Sequence, residues 1–179
     1  MTNKILAVCL DCGDTLVDEG TEVKNELEVS LRADLIPGAV EVMQRLKELN
    51  YPLALIADGP TATFVNNLGP HGLYTLFDVY AISEEVGVSK PDPRVFRHAL
   101  DQLRIASTDY GRVIMVGNHL ARDIKGANAL GIISVWLDWA PRRPKIPADD
   151  SEQPQFTIHT LLELLEVIVN VEQRLNANS

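Results

Sequence analysis

Ile5-Leu6-Ala7-Val8-Cys9-Leu10 runs directly into Asp11-Cys12-Gly13-Asp14-Thr15-Leu16. A short, wholly apolar run bounded by turn residues is the pattern of a strand buried on both faces, as in a parallel sheet covered by helices. A strand that stops on a carboxylate and turns at a glycine places Asp11 at the carboxyl edge of that sheet, where open α/β sheets hold their ligands. Taken alone, an aspartate after a strand is more often a turn residue or a helix cap.

Two further segments give Asp11 company. Lys90 stands in Gly87-Val88-Ser89-Lys90-Pro91-Asp92-Pro93, a proline-rich turn, and Val113-Ile114-Met115-Val116 leads into Gly117-Asn118-His119-Leu120-Ala121-Arg122-Asp123. The spacing predicts strands near Ile5–Leu10, Leu53–Ala57, Asp78–Ile82, Val113–Val116 and Ile133–Leu137, with a weaker one near Phe156–Ile158. Helices fall near Ala39–Leu49, Thr61–Asn67, Arg94–Leu103 and Ala121–Leu130, and a last one near Thr160–Leu175 packs its leucines into the core. This alternation predicts one α/β domain over residues 1–179, a Rossmann-like three-layer sandwich with a parallel sheet and helices on both faces. The acidic stretch Asp18–Leu35 reads as a loop with a short helix, and Asp138–Gln155, with Arg142, Arg143 and Lys145, as a solvated loop.

Composition excludes several classes. With 46% hydrophobic and 23% charged residues the chain is globular. A formal net charge of −9 and a pI near 4.8 argue against nucleic acid or an anionic membrane as partner. No apolar run is long enough to span a bilayer, and no secretory leader is expected ahead of the first strand. Cys9 and Cys12 are too close in one strand and turn for an easy bridge, so free thiols and a cytoplasmic location are expected, with Cys12 a small apolar filler.

In this order, the segments around Asp11, Lys90 and Asn118–Ala127 resemble the haloacid dehalogenase (HAD)-like hydrolase superfamily, from Lys4 to about Ile168. The resemblance implies a HAD-like core in which Asp11 attacks phosphorus and becomes an aspartyl-phosphate. Lys90 would neutralise the nucleophile and the transferring phosphoryl group. Thr15 matches the family hydroxyl that stabilises the first loop; with Asp58 and Gly59 of the second motif it completes the substrate-binding set. Asp58 serves equally well as a cap for the helix near Thr61. Mg²⁺ would be held by Asp11, the Gly13 carbonyl, Asn118 and Asp123. The connections that carry large cap domains in this family are short here, about 40 and 30 residues, which implies a capless, open site.

Three positions depart from the family pattern. Gly13 replaces the second aspartate, the general acid; Ala57 lacks the phosphate-gripping hydroxyl; Asn118 replaces a metal-binding acid. Missing acid catalysis costs ~10²–10⁴ in rate, and one missing oxyanion donor ~10²–10³. The expectation is therefore a slow Mg-dependent phosphohydrolase or phosphotransferase favouring good leaving groups. The alternative is a catalytically degenerate member that binds a phosphorylated ligand or a protein partner. Partners would be a phosphorylated small molecule or phosphoprotein, and the open site leaves room for a homodimer. The halide chemistry of the family needs an apolar cap, for which the chain has no segment.

Overall fold

A computed structural model describes residues 4–177. Strand β1 (Ala7–Leu10) is followed by a two-residue β2 (Val23–Lys24), β3 (Ser30–Arg32), helix α1 (Ala39–Glu48), β4 (Leu53–Ala57) and α2 (Thr61–Leu68). Then come β5 (Val79–Ile82), α3 (Ser83–Val86), α4 (Pro93–Gln102), β6 (Val113–Gly117), α5 (Lys125–Ala129), β7 (Ile133–Leu137), β8 (Phe156–Ile158) and α6 (Leu164–Ala177). Six strands pair in parallel in the order β5-β4-β1-β6-β7-β8. This is the Rossmann-like sandwich that the apolar runs predict.

The period of two along each strand divides the core into layers. On β1, Val8 and Leu10 face one layer with Leu55 and Val116, against α1 and α6. Ala7 and Cys9 face the other, with Ala54, Ile56 and Met115, against α4. Leu10 is in register with both Leu55 and Val116, so β1, β4 and β6 end side by side and their following residues share one edge. The order changes direction at β1, the switch point where such sheets open a crevice.

The structure refines the local expectations. The short helix of Asp18–Leu35 is a 3₁₀ turn at Glu19–Thr21, and the rest of that stretch, expected as loop, forms the antiparallel β2–β3 hairpin. Buried Ser30 pins this hairpin to α2, its hydroxyl donating to Asn67 Oδ1 (2.9 Å) and its N–H to Thr63 Oγ1 (3.0 Å). The helix expected from Ala121 begins instead as a π-turn over Leu120–Ile124 before α5, a form that recurs at functional sites. The final helix opens on a 3₁₀ turn with a Thr160–Glu163 capping box and buries Leu161, Leu164 and Ile168 as expected. No helix among the described residues is long and apolar enough to cross a membrane.

Candidate active site

Asp11 follows β1, Asp58 follows β4 and Asn118 follows β6, so the sheet edge brings together groups up to 107 residues apart. Lys90 enters from the loop between α3 and α4. Its ammonium donates to Asp11 Oδ1 at 2.7 Å, to Asp123 Oδ1 at 2.6 Å and to the Ile56 carbonyl at 2.9 Å. Burial alone would push this ammonium towards neutrality; Asp11, Asp123 and Asp58 overcome that and hold it above its ordinary value. For Asp11 burial raises the carboxyl above its ordinary range and Lys90 draws it back.

Asp123 is placed by the π-turn. Its Oδ2 accepts the His119 N–H at 2.9 Å, and its carboxyl lies on Gly117, where a Cβ would overlap Asp123 Cγ. Glycine is required there for the carboxylate to approach the end of β6. Burial and the neighbouring Arg122 and Arg143 lower the His119 pKa, which keeps the ring neutral; its Nδ1 is buried without a hydrogen-bond partner.

The second motif differs from expectation. Asp58 does not cap α2, whose N-cap is Pro60; its Oδ1 accepts the Lys90 backbone N–H at 3.0 Å. Its buried Oδ2 has no hydrogen bond and lies 3.8 Å from Arg122 Nη1. Asp58 thus fixes the lysine loop. Gly59 lines the cavity, but its N–H donates to Ser83 Oγ at 2.9 Å. Thr15 is fully buried and receives the Asn118 amide at 3.3 Å, so it supports the loop and does not touch substrate.

The expected Mg²⁺ set fails a test of its donors. Asn118 Nδ2 points between Asp11 Oδ2 (3.1 Å) and the Gly13 carbonyl, donating to both and to Thr15 Oγ1. Asp123 gives one oxygen to Lys90 and the other to His119 N–H. A hard divalent cation takes oxygens, preferentially charged ones. Here an N–H₂ donor stands among the oxygens, the Asn118 Oδ1 is buried on its other side without a hydrogen-bond partner, and both oxygens of Asp123 and one of Asp11 are already taken. Among the described residues no group of three or more His, Cys, Asp or Glu is arranged to hold a metal. Gly13, Asn118 and Asp123 are therefore not assigned as cation ligands.

Four residues outside the expected site complete it. Asp14, fully buried at φ 51°, points away from the cavity, and its carboxylate accepts from Arg142 Nη1 and, at 3.1 Å, from Arg143 Nε. The Arg142–Arg143 loop is thus bound to the first motif, in place of the solvated loop expected; Lys145 pairs with Asp138. Arg143 Nη2 also contacts Glu19 Oε2. Glu19 shares with Asp11, Glu22, Lys90, Asn118 and Arg143 a cavity of about 220 Å³. Burial raises its carboxyl to about 7, with Asp14, Asp11 and Glu22 adding to the rise and Arg143 opposing it. Arginine partners for two consecutive acids of the first loop, some 124 residues away, leave no local signature.

Comparison with known proteins agrees with this arrangement. The family model for haloacid dehalogenase-like hydrolases matches residues 4–131. A glyceraldehyde 3-phosphate phosphatase of Methanopyrus kandleri is 30% identical over 132 residues, covering 74% of this chain and 55% of that protein. The pyrimidine 5'-nucleotidase YjjG of Escherichia coli is 32% identical over 147 residues, covering 80% and 62%. The chain therefore spans between half and two thirds of the length of these relatives. The structure of YfnB from Bacillus subtilis, described as a HAD-hydrolase bound to magnesium, superposes with a TM-score of 0.72 at 18% identity, over 90% of this chain and 97% of that one, which shows the shared fold. An aspartate at the end of the central strand, a buried lysine against it and a matching family model over most of the chain lead to one conclusion: this protein belongs to the haloacid dehalogenase-like hydrolases.

Proposed function

We propose that the chain is a phosphohydrolase or phosphotransferase acting through an aspartyl-phosphate on Asp11. The observation that carries this reading is Lys90 between Asp11 and Asp123 at the base of an open cavity. Asp11 Oδ attacks phosphorus; Lys90 remains charged and neutralises the phosphoryl oxygens as they approach the carboxylates of Asp11 and Asp123. Asn118 orients the second Asp11 oxygen by donating to it at 3.1 Å. The relatives' names, a glyceraldehyde 3-phosphate phosphatase and a pyrimidine 5'-nucleotidase, favour small phosphomonoesters as substrates. Magnesium enters no step of this reading, because the amide nitrogen of Asn118 faces the oxygens that a cation would need. The two buried free thiols, Cys9 and Cys12, fit a reducing compartment such as the cytoplasm.

A second reading, phosphate binding without turnover, is favoured by Ala57 and by a Gly59 N–H already given to Ser83, since both weaken the grip on a transition state. Hydrolysis of p-nitrophenyl phosphate and acetyl phosphate, in EDTA and in Mg²⁺, with Asp11→Asn as the blank, decides between them. Turnover that disappears in Asp11→Asn supports the first reading. Rates no higher than the blank with both compounds select the second.

A further inference from the structure

Gly13 leaves a gap where the family carries its acid, and the gap is filled. A Cβ built on Gly13 would overlap Glu19 Oε1 and lie 2.7 Å from Glu19 Cδ and 2.9 Å from Cγ. The carboxylate of Glu19 therefore lies against the backbone two residues from Asp11, in the volume that a side chain at position 13 would enter. It is held there from two directions. Its backbone N–H donates to Asp14 Oδ1 at 3.1 Å, and Arg143 holds Oε2, which leaves Oε1 as the oxygen facing Gly13. Its side chain is 34% exposed within the cavity that Asp11 lines, so it can exchange protons with solvent.

We propose that Glu19 is the acid–base group of this site, supplied from six residues beyond the position that normally carries it. The proposal rests on Asp11 being the nucleophile. In the first step Asp11 Oδ forms a bond to phosphorus, the bond from phosphorus to the ester oxygen breaks, and that oxygen takes the proton of the Glu19 carboxyl. In the second step water attacks phosphorus, its proton passes to the Glu19 carboxylate, and the bond from phosphorus to Asp11 breaks. Alcohol and phosphate leave, and both carboxyls return to their starting states. A carboxyl raised by burial to about 7 holds its proton near neutral pH, as an acid for this role must. Simple alkyl phosphates, which a site with no acid would scarcely hydrolyse, thereby come within reach.

The test compares Glu19→Gln with the parent chain on glycerol 3-phosphate, an alkyl ester, and on acetyl phosphate, whose leaving group needs no proton. The Gln side chain keeps the length and an oxygen for Arg143, and thermal melting checks the fold. The parent chain is expected to hydrolyse both compounds. Glu19→Gln is expected to lose about 10²–10⁴ in rate on glycerol 3-phosphate. With acetyl phosphate it should still release a stoichiometric burst of acetate, followed by slow turnover, because only the second step then lacks its base. Gly13→Asp in a Glu19→Ala background, which empties the volume that Gln would still fill, should restore the alkyl ester rate. A parent chain active on acetyl phosphate alone, or a Glu19→Gln effect equal on both first steps or absent, overturns the role of Glu19 and leaves Asp11 in place. Parent activity no higher than Asp11→Asn on both compounds overturns the two readings together.

Discussion

Lys90 Nζ lies 2.6 Å from Asp123 Oδ1, with the lysine side chain 2% exposed and the aspartate 1%. The pair sits under Asp11, so one ammonium answers a buried carboxylate and a partly buried one. Removing one partner of a buried ion pair costs about 3–5 kcal/mol, because the remaining charge stays desolvated. Lys90→Met is expected to lose turnover and that much stability, read as the midpoint of urea unfolding. Lys90→Met with Asp123→Asn should recover part of the stability, Asp11 still lacking its counter-charge, and none of the activity. An inactive but fully stable Lys90→Met would show that the ammonium is not needed to hold the site.

The Asn118 amide sets the metal response. Isothermal titration of the parent chain with MgCl₂ is expected to show no saturable heat in the millimolar range, and EDTA should leave its activity within twofold. Asn118→Asp replaces a donor by a charged acceptor beside Asp11 Oδ2 and the Gly13 carbonyl. That variant should acquire measurable Mg²⁺ binding. Tight binding by the parent chain would overturn the structural role assigned to the amide.

Asp14 ties the loop around Arg142 and Arg143 to the nucleophile turn through charge-assisted hydrogen bonds. Such bonds contribute roughly 1.5–3 kcal/mol each, and the arginines, being partly exposed, recover some of this by turning to water. Asp14→Asn is expected to cost about 2–3 kcal/mol and to speed tryptic cleavage after Arg142 or Lys145, Arg143 being shielded by the proline that follows it. Unchanged cleavage would mean that the loop is fixed by other contacts.

The pH dependence follows from Glu19. Its carboxyl is raised to about 7 by burial, with Asp14, Asp11 and Glu22 reinforcing and Arg143 opposing. The first step uses the protonated form, which is present below that value and lost above it. For alkyl phosphates kcat/KM should therefore fall as pH rises through about 7, and the falling limb should be absent in Glu19→Gln. A limb that persists in the variant belongs to another group.

Much of the frame was legible in the sequence, because the decisive runs are short, apolar and bounded by turns. Val113–Gly117 and Leu53–Ala57 are buried along their whole length, and such strands announce themselves without periodicity. Asp11 was found where such a run ends and Lys90 by the resemblance of its proline-rich turn, and their contact is direct. The β2–β3 hairpin was not legible: two and three residues give no alternation to read, and Ser30 is fixed by α2, not by its own segment. The orientation of Asn118, the release of Asp58 from capping and the union of Glu19 with Arg143 are tertiary facts. Each depends on which atom of a side chain meets a distant partner, and composition carries no trace of that.

The volume shared by Gly13 and Glu19 also constrains how this protein can change. Position 13 cannot gain a side chain while the Glu19 carboxylate rests there, so two acids from these positions exclude one another. Gly13→Asp in the parent chain must push Glu19 aside before it can contribute anything. The effect of a substitution at residue 19 thus depends in sign and size on what stands at residue 13. Glu19→Gln is damaging beside glycine and nearly silent beside aspartate.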